Sequence, residues 1–156
     1  MQYRSDTSRP QLSLFEGVIA QRALPLCSAP PAYSVRPESL SELSLSGSID
    51  HCHLLLTPIL RELSEADDKR WLTLIAPPAS LSGTWLRDSG LNRQRVILLQ
   101  PRNGQPPLEL ACKALGSGCS HTVITWQDKL SNTERNRLRA AASLGEARSL
   151  NIRLGC

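Results

Sequence analysis

Apolar and polar residues change rhythm several times along this chain, and each change predicts an element. Up to about residue 38 the chain is rich in serine and proline, with Pro10, Pro25, Pro30, Pro31 and Pro37. It shows little periodicity, so too little apolar surface is available to offset ordering. Residues 1–38 are therefore expected to form a largely disordered arm, and residues 39–156 the folded domain. Leu40, Leu43 and Leu45 fit a short strand ended by Gly47. A helix follows from near Asp50 to Ser64, with Leu55, Ile59 and Leu63 on one face. Pro58 either kinks that helix or marks a later start at Thr57.

Three strand–helix units come next. Trp71–Ala76 reads as a strand, followed by a helix opened by Ser80 or Ser82 and stopped by Gly90. Arg95–Gln100 reads as a second, leading through a Pro/Gly-rich loop to a helix starting at Pro106 or Pro107. In that helix Leu108, Ala111, Cys112 and Leu115 repeat at helical spacing. His121–Trp126 reads as a third, before the capping box Ser131-Asn132-Thr133-Glu134. Leu138, Ala141 and Ala142 face inward there, while Arg135, Arg137 and Arg139 mostly do not. The last strand, Leu150–Leu154, alternates apolar and polar residues, which predicts a position at a sheet edge.

Strands separated by helices imply right-handed crossovers and a mainly parallel sheet. The near-continuous apolar runs at 72–76 and 96–99 fit strands covered on both faces. A small α/β sandwich is the fold that accommodates them.

At this length one domain with a real core is expected. Lysine occurs only at 69, 113 and 129, so arginine supplies 15 of the 18 basic residues behind a net charge of +4. Arginine suits protein interfaces and phosphates, although a GC-rich coding sequence yields the same bias. The five cysteines lack close pairs and no basic-then-apolar leader opens the chain, which predicts reduced thiols in the cytoplasm. No apolar run approaches the roughly 20 residues of a membrane span.

The segment after the Trp71 strand is where a nucleotide-binding ATPase keeps its phosphate loop. Such a loop needs two glycines, a lysine and a hydroxyl in fixed spacing. Here Pro77 and Pro78 each remove an N–H, Gly83 is alone, and Thr84 stands in the lysine's place. A degenerate ATPase remains one reading, but these residues favour a protein that binds rather than catalyses, without a cofactor.

Other candidate chemistry is weaker. His51 and His53 are two apart on a helix and diverge by about 200°, so no metal site is expected. Cys112 reads as a small core residue and not a nucleophile, and Cys119 beside His121 lacks an orienting partner. Asp128 could stand where a magnesium aspartate would, yet a loop carboxylate explains it. Trp85 falls in the first turn of a short helix at the carboxyl end of the sheet, where open α/β sheets bind ligands. Trp71 fits either core or rim. In the arm, Gln11-Leu12-Ser13-Leu14-Phe15 resembles the short peptide by which bacterial polymerases and repair proteins dock on the DNA sliding clamp, with a stray amphipathic turn as the alternative.

The set Leu54–Leu60, Arg70-Trp71, Leu81-Ser82 with Trp85, Ser89-Gly90-Leu91 and His121–Ile124 before Trp126 resembles the bacterial SOS cell-division inhibitor SulA family, over roughly residues 50–154. The resemblance implies a RecA-like three-layer α/β sandwich lacking a phosphate loop and a homodimer. It also implies binding to the tubulin-like division protein FtsZ that blocks polymerisation and the septal ring, with no enzymatic step. It carries a partner-binding role onto Arg70, Ile75, Trp85 and Arg95, the last at a place that can hold lysine. The long arm and the ending just after the last strand depart from enteric members. A rival reading makes the domain an accessory factor in DNA-damage tolerance, docked on the sliding clamp through residues 11–15.

Overall fold

The computed structural model describes residues 38–155. In chain order these form β1 (Leu40–Ser46), α1 (Ile49–Ser64), β2 (Trp71–Ile75), α2 (Gly83–Asp88), a 3-10 turn at Arg93–Arg95, β3 (Val96–Leu99), α3 (Pro107–Gly116), β4 (Ser120–Thr125), α4 (Asn132–Leu144) and β5 (Arg148–Gly155). The five strands make one sheet in the order β1-β5-β4-β2-β3, and every pairing is parallel. A wholly parallel sheet needs cover on both faces. Alternate residues supply two cores. Leu45, Leu72, Leu74, Ile124 and Ile152 pack with Cys52, Leu56 and Leu60 of α1 and with Leu86 of α2. Leu40, Ile75 and Val123 pack with Leu108, Ala111 and Leu115 of α3 and with Leu138 and Ala142 of α4. The result is a five-stranded parallel sheet flanked by helices.

Local chemistry sets the helix ends. Ser48, Ser82 and Ser131 cap α1, α2 and α4, each accepting a backbone N–H three residues on, and Glu134 completes the capping box at Ser131. Gly90, beyond α2, takes φ +70, which suits a residue without a side chain. A Cβ there would also meet the Arg61 guanidinium at 2.9 Å.

Three expectations are corrected. The run at 96–99 is an edge strand with Leu98 47% exposed and not a strand covered on both faces, because among the described residues β3 pairs on one side only. On α1 the buried positions are Cys52, Leu56, Leu60 and Ser64, not the face of Leu55, Ile59 and Leu63; Leu55 is exposed. The run Leu54-Leu55-Leu56 is apolar all round, so periodicity could not set the phase. Ser64 is admitted to the buried face because its hydroxyl donates to the Arg61 carbonyl and accepts from the Asn92 N–H. Pro58 lies well inside this helix, on an exposed position where water can serve the Leu54 carbonyl that the proline leaves without a donor.

The third correction concerns β5, which lies between β1 and β4 and not at an edge. Its polar residues Ser149 and Asn151 are buried along with Ile152. Asn151 is tolerated there because its amide is satisfied. Oδ1 accepts from Thr125 Oγ1 and the Gln127 N–H, and Nδ2 donates to the Gln127 carbonyl.

Helices α3 and α4 converge where Gly145 follows α4. A Cβ at Gly145 would stand 1.7 Å from the Leu115 carbonyl oxygen, a backbone atom that cannot swing away. We expect Gly145→Ala to lose about 1–3 kcal/mol or more, a fall in Tm of roughly 5–15 °C by calorimetry. An unchanged Tm would refute the close approach.

Candidate functional site

The loop leaving β2 has none of the backbone geometry that would cradle a phosphate. Ala76 takes φ 47, unusual for a residue with a side chain, and its N–H donates to the Leu99 carbonyl at 2.9 Å. Pro77 and Pro78 follow, the Leu81 N–H closes on the Pro78 carbonyl, and the Leu81 side chain is 3% exposed in the core. The loop is thus pinned by an apolar plug, and its prolines present no donors to an anion.

Trp85 rises from the first turn of α2. It is half-buried against the core, and its ring lies 4.9 Å from that of His53 on α1, tilted by 41°. His53 Nε2 is buried and makes no hydrogen bond among the described residues. The imidazole therefore packs at a tilt on the indole, leaving part of the tryptophan surface open. Trp71, at the start of β2, is exposed at 40%, so neither tryptophan is a core residue.

Arg70 and Arg95 sit at the opposite, amino-terminal end of the sheet, just before β2 and β3. Arg70 grips Asp68 through Nε and Nη2 at 3.0 and 2.7 Å, and the Arg70 N–H returns to Asp68 Oδ1. Arg70 Nη1 also donates to the carbonyls of Glu146 and Gly145, at 3.0 and 3.3 Å. Arg95 Nη1 donates to the backbone carbonyls of Asp68 and Ala66. Both guanidinium groups are thus engaged in holding the 66–70 loop. The Arg70 hydrogen bonds hold the Asp68 carboxyl at about 2, well below its ordinary range, and Asp68 in turn raises Arg70. His121, buried at this end of β4, is pushed below its usual pKa chiefly by burial, with Arg70, Arg148 and Arg95 adding to the shift and Asp68 opposing it.

The four residues assigned from the family resemblance therefore do not converge. Arg70 and Arg95 share one cluster, organised by Asp68, which the sequence reading did not single out although a carboxylate two residues before an arginine is a visible cue. Trp85 lies beyond the other end of β2. Ile75 is 1% exposed inside the α3/α4 core, so it can act on a partner only through packing. His51 is exposed while His53 turns to Trp85, and among the described residues no three His, Cys, Asp or Glu side chains converge on one point. Cys112 is partly buried against the core, and Asp128 is exposed. Gln11, Leu12, Ser13, Leu14 and Phe15 lie outside the described residues.

A family model described as cell division inhibitor SulA matches residues 40–149. The chain is 52% identical to the cell division inhibitor SulA of Pseudomonas aeruginosa over 161 aligned residues, covering 99% of this chain and 100% of that protein. The cell division inhibitor SulA of Yersinia pestis is 40% identical over 93 residues, 60% of this chain and 54% of that one. The crystal structure of SulA from Pseudomonas aeruginosa matches with a TM-score of 0.73 and 60% identity, covering 76% of this chain and 100% of that one. With a full-length relative, a family model and a matching sheet in agreement, the chain belongs to the SulA family of cell division inhibitors.

Proposed function

We propose that this protein is induced in the SOS response and stops division in the cytoplasm by binding subunits of the tubulin-like GTPase FtsZ, withholding them from the polymer that builds the septal ring. Trp85 carries this reading. It is a large, partly exposed aromatic packed against His53, the type of side chain that dominates interface energetics. Subunits that stack head to tail form an open filament, so covering one end removes a subunit from assembly. Such an inhibitor acts stoichiometrically and needs no catalytic step. The Asp68-centred cluster supports the mechanism indirectly: Arg70 and Arg95 shape the 66–70 loop, with the remaining donors of each guanidinium left for a partner's carboxylates.

The same reading includes a homodimer. Leu54, 71% exposed, together with Leu55 and Pro58 makes an apolar strip on the outward side of α1. The clamp-docking alternative rests on residues 11–15 alone, and no feature of the described residues favours it.

Trp85→Ala should remain folded by circular dichroism while its inhibition of FtsZ polymer, measured by sedimentation, weakens about 30- to 1000-fold. Normal potency in the folded variant would sink the site. A chain lacking residues 1–38 should still filament cells when expressed, whereas loss of its function in the cell with the arm removed would favour the clamp reading. Leu54→Glu should shift the sedimentation velocity peak of the pure protein from dimer toward monomer. A wild-type monomer at micromolar concentration would remove the dimer from the mechanism.

A further inference from the structure

The two edges of the sheet are built differently. The β1 edge is polar, with Ser41, Glu42 and Ser44 along it and Glu42 paired to Arg135 at 2.5 Å. That is how natural proteins protect an edge. The β3 edge is Val96-Ile97-Leu98-Leu99, wholly apolar, with Leu98 47% exposed. Its outer side is unpaired among the described residues, because β3 pairs only with β2. A groove of about 390 Å³ runs along one side of it, lined by Leu86, Leu91, Val96 and Leu98 with Arg87 and Arg93 at its rim. On the other side, Leu98, Leu99 and Leu110 with Arg102 line a second groove of about 370 Å³. Arg87, Arg93 and Arg102 make no ion pair among the described residues.

We propose that the β3 edge is a docking site for an extended segment of a partner protein, apolar at alternate positions and flanked by carboxylates, which adds as a sixth strand. Free N–H and C=O groups along β3 supply the ladder, the two grooves receive side chains of opposite parity, and the three arginines select the acidic flanks. The charges disfavour the two simpler occupants. A second copy would bring six arginines without an ion pair among the described residues together across a two-fold axis. The chain's own arm, residues 1–38, carries Arg4, Arg9, Arg22 and Arg36 against Asp6, Glu16 and Glu38, a net positive charge that matches the arginine-rimmed edge poorly. The groove borders α2, the helix that carries Trp85, but its test does not depend on FtsZ.

The probe is a displayed library of random decapeptides panned on the full chain, with selected peptides remade and titrated by fluorescence anisotropy. The proposal expects selected peptides to alternate apolar residues, to carry two or more acidic residues, and to bind with strong salt dependence. Leu98→Asp, which places a carboxylate in the groove, should weaken them at least 10-fold, and Arg93→Gln or Arg102→Gln several-fold each, with circular dichroism unchanged. Hydrogen exchange should show β3 amides unprotected on the outer side in the free chain and protected with peptide. Selection of basic or uncharged peptides, indifference to Leu98→Asp, or no selection at all would overturn it. So would β3 amides already protected in the free chain and released by dilution (a second copy) or by deleting residues 1–38 (the arm).

Discussion

A parallel sheet buried on both faces is the constraint from which the rest of this molecule follows. Every strand must be followed by a crossover that returns to the same end, and the crossovers become the covering layers. Leu72, Thr73, Leu74 and Ile75 are consequently all buried, and β2 has no free face to offer a partner. What the protein shows to others is confined to strand ends, outward sides of helices and sheet edges. Trp85 is at one end, the Asp68 cluster at the other, and the apolar strand β3 at the margin.

The arginines illustrate how charge is used in such a frame. An exposed ion pair is worth only about 0–1 kcal/mol, and Asp68 and Arg70 are about a third exposed. Their value is geometric. One bidentate pair and several guanidinium–carbonyl bonds tie the 66–70 loop to the segment after α4, and Arg95 anchors that loop from the β3 side. Arginine does this where lysine could not, since a planar fork with several donors meets a carboxylate and carbonyls at once. At the other end, the strained Ala76 costs roughly 1–2 kcal/mol, and it is held by its bond to Leu99 and by the Leu81 plug. The turn between β2 and α2 is thus tied down on its way to Trp85.

The elements of this domain were legible in the amino-acid order because they rest on local rules. Ser82, Ser131 with Glu134, Gly47 and Gly90 mark ends through hydrogen bonds and backbone freedom that act over a few residues. The apolar run at 72–76 announces a strand covered on two sides, whereas the equally apolar run at 96–99 gives no sign that it lies at an edge with Leu98 exposed. Family membership was legible too, from residues scattered between 54 and 126. Tertiary structure alone decided the phase of α1, because three consecutive leucines satisfy any phase until the sheet selects Leu56. It alone placed β5 inside the sheet, since Asn151 reads as a solvent-facing residue until Thr125 and Gln127 arrive to satisfy its amide. The separation of Arg70 from Trp85, the burial of Ile75 and the meeting of His53 with Trp85 were likewise beyond the sequence. Local propensity is written in neighbours along the chain, whereas burial and convergence depend on residues brought close only when the sheet closes its pairing order.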